Sequence, residues 1–192
     1  TRLSRGLGDV YKRQESAPSP WQPSHHILRV GVQGDRIDED DRKPVRLTFL
    51  VDVSGSMSAN NKLPLARKAM RYLVNNLGPE DSVAITTYAG RTEVLLQPTS
   101  AGDLSAINAA IEELQSGGGT NMDSGMQLAY QLADSAFVAG AENRVVVLSD
   151  GDANIGRTSH ESLLTEITDY AKKGITLSTI GFGRGNLSLI HI

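Results

Sequence analysis

The chain has 192 residues, 22 acidic against 19 basic, a formal net charge of -3 and a pI near 5.8. That length holds one domain with a sizeable core, and the mild acidity offers no basic face to a nucleic acid. There are no cysteines, which excludes a disulfide framework and thiolate metal ligands, and no apolar run approaches the roughly 18 residues of a membrane span.

Residues 1–14 have no clear period and read as a non-native or disordered arm, as do 187–192 at the other end. Residues 15–24 carry Pro18, Pro20 and Pro23 and read as an extended linker, with Trp21 packing on a neighbouring strand or domain. Residues 26–33 alternate Leu28, Val30 and Val32 with Ile27, Arg29, Gly31 and Gln33, the pattern of a half-buried strand. A strand points adjacent residues to opposite faces, so His25 and His26 do not make a metal pair. Residues 34–43, with Asp35, Asp38, Glu39, Asp40 and Asp41, read as a solvated acidic loop. Residues 15–43 thus look like a linker and the end of a preceding β region, and 44–186 like the main domain.

Residues 47–53 form an apolar run without polar alternation, the mark of a strand buried on both faces. It ends in Asp52-Val53-Ser54-Gly55-Ser56, three oxygen-bearing side chains at alternate positions around a glycine turn. That makes a poor core but a good grip for a hard cation, which wants several oxygen ligands.

A helix follows, with Asn60 or Asn61 able to cap it and Pro64 in its first turn. Its buried stripe is Leu63, Ala66, Met70, Leu73, Val74 and Leu77. Lys62, Arg67, Lys68 and Arg71 lie off that stripe and read as solvated. Gly78-Pro79 stops the helix. Residues 82–88 and 93–97 read as two strands joined by a turn at Gly90-Arg91, hence antiparallel. Leu104, Ile107, Ile111 and Leu114 mark a second helix, with Asp103 in its first turn. Gly117-Gly118-Gly119-Thr120-Asn121 comes next, and then a helix with Met122, Met126, Ala129, Tyr130, Ala133 and Phe137 on one face, the methionines as core. Residues 144–148 read as a central strand ending in Ser149-Asp150-Gly151-Asp152. Thr158 and Glu161 have capping-box spacing for a helix carrying Leu163, Leu164, Ile167, Tyr170 and Ala171. Residues 175–180 are the last strand. Strands alternating with helices imply an α/β fold: a doubly wound, mostly parallel sheet flanked by helices, with one antiparallel edge strand.

The Asp-x-Ser-x-Ser motif at the end of a first strand, joined by Thr120 in a glycine loop and by Asp150 after a later strand, resembles von Willebrand factor type A domains of bacterial type. The resemblance covers roughly residues 44–183 and implies a Rossmann-like fold, incomplete at its C-terminal end. It also implies a metal-ion-dependent adhesion site. The Asp52, Ser54, Ser56, Thr120 and Asp150 oxygens would hold Mg2+, with Mn2+ or Ca2+ suiting the same donors. An open position on the ion would accept a carboxylate from a protein partner. In such sheets ligands bind at the carboxyl ends of strands, so Asp52 and Asp150 are expected on one rim. Two buried carboxylates side by side are costly without a cation. Removing either is therefore expected to leave the fold intact or to stabilise the metal-free chain. Asp152 would orient a water, and Asp123 would serve a helix N-terminus.

Enzyme classes find no support. A phosphotransferase built on an Asp nucleophile would want a carboxylate where Ser54 stands, and neither a Gly-x-Ser-x-Gly elbow nor a phosphate loop is present. The expectation is a metal-dependent protein-binding module and not an enzyme. The alternatives are a subunit of an ATP-driven metal-insertion or remodelling machine, or a metal-independent scaffold. The extended, proline-containing N-terminal region points to an extracytoplasmic setting.

Overall fold

The computed structural model describes residues 11–22, 24–33, 42–119, 121–151 and 160–183. The chain divides into two compact units, residues 1–42 and 43–192. In the first, β1 (Tyr11–Pro18) pairs antiparallel with β2 (His26–Gln33). β1 runs through the boundary expected at Gln14 and into the stretch read as linker. Ladder hydrogen bonds come from the backbone and need no side-chain period. Trp21 is 80% exposed and packs on neither strand of this hairpin. The acidic loop expected over 34–43 lies outside the described residues as far as 41, as do residues 1–10 and 187–192.

In the second unit, β3 (Val45–Asp52) is the middle of a five-stranded sheet. On one side it pairs parallel with β4 (Ser82–Tyr88), which pairs antiparallel with the edge strand β5 (Thr92–Ser100). On the other it pairs parallel with β6 (Glu142–Ser149), which pairs parallel with β7 (Ile175–Gly181). The helices are α1 (Leu63–Val74), α2 (Leu104–Glu113), α3 (Met122–Ser135) and α4 (His160–Lys173). The expected fold class is what the chain adopts.

The period of a strand explains why helices lie on both faces. Successive residues alternate sides, so Phe49 and Val51 join Val146 and Leu148 in one apolar cluster with Leu63, Ala66, Met70 and Val74 of α1 and Ile107 and Ile111 of α2. Leu50 joins Val145 and Val147 in the other, with Met122, Met126, Ala129 and Tyr130 of α3 and with Ile167 and Tyr170 of α4 at its margin. β3 needs no polar face because neither of its faces meets water. Asp52 lies two residues beyond Leu50 and so falls on the α3 side of the sheet.

The helix ends differ in detail from expectation. α1 begins at Leu63 with Lys62 as its capping residue and no side-chain cap, so neither Asn60 nor Asn61 serves. Asp103 caps α2 from just outside it, accepting from the Ala106 N–H at 3.1 Å. Thr158 of the expected capping box lies outside the described residues. At the end of the sheet opposite the carboxyl rim, the buried Asp81 accepts from the Val45 and Gly78 N–H groups, both at 2.8 Å, and so ties the start of β3 to the turn after α1.

Candidate metal centre

β3 delivers Asp52 to the carboxyl rim with its side chain 0% exposed. Such a carboxylate needs hydrogen bonds on both oxygens, and three donors supply them. The Ser54 N–H donates to Oδ1 at 2.9 Å, the Tyr88 hydroxyl to Oδ2 at 3.0 Å and the Ser149 hydroxyl to Oδ2 at 2.9 Å. Tyr88 reaches it because β3 and β4 run in register, Asp52 opposite Tyr88. Burial, and then the Asp52 charge, push the Tyr88 hydroxyl well above its ordinary range. Tyr88 therefore stays a neutral donor at any working pH.

Past Asp52 the chain makes a 3-10 turn over Gly55–Ser58. The turn brings the Ser54 and Ser56 hydroxyls to 2.9 Å from each other. Backbone bonds fasten this turn to the loop between α2 and α3: the Gly117 N–H donates to the Val53 carbonyl at 2.7 Å and the Gly55 N–H to the Gly118 carbonyl at 3.3 Å. Gly118 has a φ of 84°, and a Cβ there would sit 3.2 Å from the Gly90 nitrogen. Both the left-handed backbone and the close approach require glycine. Thr120 lies outside the described residues, as does Asp152.

The parallel register of β6 on β3 places Asp150 on the same rim. Its carboxylate is 0% exposed and accepts from the Lys62 ammonium at 2.7 Å; the Lys62 side chain is 18% exposed. The same ammonium donates to the Ser56 carbonyl at 3.1 Å. Asp52, Ser54, Ser56 and Asp150 are thus gathered at one end of two neighbouring strands. Lys62 was expected to be solvated, and it is bound inside the rim. It precedes the first turn of α1, so the periodicity that sorted the helix faces does not govern it. Arg67 and Arg71 also differ from that expectation, since both pair with Glu112 of α2, at 3.5 and 2.6 Å.

These contacts correct the picture of two bare carboxylates repelling each other. Asp52 is satisfied by neutral donors and Asp150 by a cation of the chain itself. Lys62, Tyr88 and Ser149 are the site residues that sequence reading missed. Only Ser149, adjacent to Asp150 in the motif, carried a signal that could have found it. Asp123 lies in the first turn of α3, as expected, with Oδ1 buried and without a hydrogen-bond partner among the described residues. The oxygens gathered here are carboxylates and hydroxyls, hard donors that fit Mg2+, Mn2+ or Ca2+ and not a soft metal. Among the described residues no cluster of three or more His, Cys, Asp or Glu side chains could hold a metal.

Residues 47–153 match the von Willebrand factor type A domain family. An uncharacterised protein of Escherichia coli K12, YfbK, is 37% identical over 174 residues, or 91% of this chain. The chain spans 30% of that relative's length. Among solved structures, the manganese-loaded TRAP protein of Plasmodium vivax superposes with a TM-score of 0.61 at 20% identity, covering 93% of this chain and 64% of that one. The pilus adhesin SpaC of Lactobacillus rhamnosus GG gives 0.60 at 17%, covering 90% and 28%. At those identities the likeness is one of fold.

Proposed function

This chain belongs to the von Willebrand factor type A domain family, and from that premise we propose that it is a divalent-metal-dependent protein-binding module and not an enzyme. The observation that carries the reading is the pair of serine hydroxyls, 2.9 Å apart, on the rim that also bears the buried Asp52 and Asp150. Ser54, Ser56 and Thr120 would offer hydroxyls, and Asp52 and Asp150 carboxylates, directly or through water. Mg2+ is the expected ion, and the manganese in the TRAP structure supports Mn2+ as a substitute. Once bound, the ion supplies an electrophilic position for a carboxylate of a protein partner. The chain's own residues hold the donors in place: Tyr88 and Ser149 orient Asp52, and the Gly117 and Gly118 backbone fixes the serine turn.

Calorimetric titration of Mn2+ into the full chain and into Asp150→Ala tests this reading. Wild type should bind one ion and gain about 1.4 kcal/mol of stability at ten times Kd. The variant, checked for folding by circular dichroism, should bind none. A folded wild type that takes up no ion would leave a metal-independent scaffold. An extracytoplasmic setting draws support from the pilus adhesin SpaC as a structural neighbour. Recovery of the parent protein only in the cytosolic fraction of its cells would refute that setting.

A further inference from the structure

The Lys62 ammonium stands between two of the oxygens that a metal ion would draw on or lie against. It donates to Asp150 Oδ2 at 2.7 Å and to the Ser56 carbonyl at 3.1 Å. The Asp150 side chain is closed to solvent and that of Lys62 is mostly covered, 18% exposed. The placement is built into the fold. Lys62 has the non-helical backbone of a capping residue, φ -119° and ψ -108°, and directly precedes α1. Opposite its stem lies Gly183, where a Cβ would come within 3.2 Å of the Lys62 Cε. The chain leaves out a side chain where the lysine passes.

Lysine carries a compact point charge on a flexible stem and offers only donors. It therefore binds the oxygens that a hard cation binds. A divalent ion sharing Asp150 with it would face a like charge a few ångströms away in a site with little water to screen it.

Resting on the metal reading above, the geometry points to Lys62 as a tethered competitor for the divalent ion. In the metal-free protein its ammonium neutralises Asp150 and keeps the rim folded. Metal binding exchanges that ammonium for the ion, so the apparent affinity is lowered by the share of molecules in which Lys62 holds Asp150. The residue sets the metal concentration at which the site fills.

The experiment compares Mn2+ affinity, read from the electron spin resonance of free Mn2+, in wild type, Lys62→Met, Lys62→Arg and Asp150→Ala. Melting temperatures are taken in chelator and in saturating Mn2+. Lys62→Met keeps the apolar stem and removes the charge. It should bind Mn2+ about tenfold tighter, as expected when a competing state occupied nine times in ten is removed. It should also melt lower than wild type in chelator, which widens the shift produced by Mn2+. Lys62→Arg should stay close to wild type. A folded Lys62→Met that binds Mn2+ no more tightly than wild type overturns the competition, while loss of binding in Asp150→Ala alone keeps the metal reading. Failure of both wild type and Lys62→Met to bind overturns the metal reading and the competition with it. A second measurement needs no metal titration of a weakened variant. The Lys62 ammonium resonance in wild type, assigned by its loss in Lys62→Arg, should move with Mg2+ at the binding midpoint. A resonance unchanged at saturation overturns the exchange.

Discussion

Truncating Asp52 would strand the Tyr88 and Ser149 hydroxyls in a place closed to water, along with the Ser54 N–H. A buried donor left without an acceptor costs about 1–3 kcal/mol. Asp52→Ala should therefore lose on the order of 3 kcal/mol in urea denaturation without metal, and Asp52→Asn, which keeps one acceptor oxygen, clearly less. An Asp52→Ala chain as stable as wild type in chelator would mean that carboxylate repulsion outweighs these bonds after all. What could be read from the sequence at this scale was local. The alternation of Asp52, Ser54 and Ser56 around Gly55 is covalent geometry, and spacing alone exposes it. Lys62 and Tyr88 could not be read that way, because their partners Asp150 and Asp52 lie 88 and 36 positions away. Strand register creates those contacts, and no window of sequence contains both ends.

At the scale of elements, α3 approaches the sheet through Gly125. A Cβ there would lie 2.8 Å from the Tyr88 Cβ and 3.3 Å from the Leu50 Cδ1. These are atoms of β4 and β3 with little room to retreat. Gly125→Ala should then be destabilising by about 2 kcal/mol despite the better helix propensity of alanine. It should also weaken Mn2+ binding by pushing Tyr88 away from Asp52, and calorimetry with urea melts would register both. Stability and affinity unchanged by the substitution would show that α3 can lift without cost. Most element positions were legible. The buried runs gave the strands, and the three- and four-residue spacing gave α1, α2 and α3. The hairpin β4–β5 followed from the shortness of its turn. The cap of α1 was misread because two asparagines offered better chemistry than Lys62, and propensity yields where a side chain has a partner elsewhere.

The second unit as a whole buries apolar surface on both faces of one sheet, and on one face that burial includes tyrosines. Tyr130 stacks on Tyr170 with ring centres 4.6 Å apart, and its hydroxyl has no hydrogen-bond partner among the described residues. Burial, with the Glu166 charge adding to it, pushes its pKa from 10.0 up to about 12. The unfolded chain thus ionises first as pH rises. The stability tied to the neutral hydroxyl is complete below pH 10 and is lost between 10 and 12. Tyr130→Phe should be at least as stable as wild type at pH 7 and should lose less on going to pH 11.5, by urea melts at each pH. An equal alkaline loss in both proteins would place the sensitivity elsewhere, at Tyr88 first. Tyr130 was legible as a buried position of its helix and Tyr88 as part of a strand, but helical and strand periods say that a ring is inside and not what faces its hydroxyl. The hydrogen bond from Ser149 to Asp52 has a further consequence for the route by which the chain folds. It joins residues 97 positions apart and forms only when β6 has closed against β3. Long-range parallel pairings of this kind are slow to form because the loop between them must first be gathered in. The rim is therefore completed only with the β3–β6 pairing, and is absent from the transition state if that state lacks it. A cation held there would leave the refolding rate alone and act as a brake on unfolding, lengthening the lifetime of the folded chain.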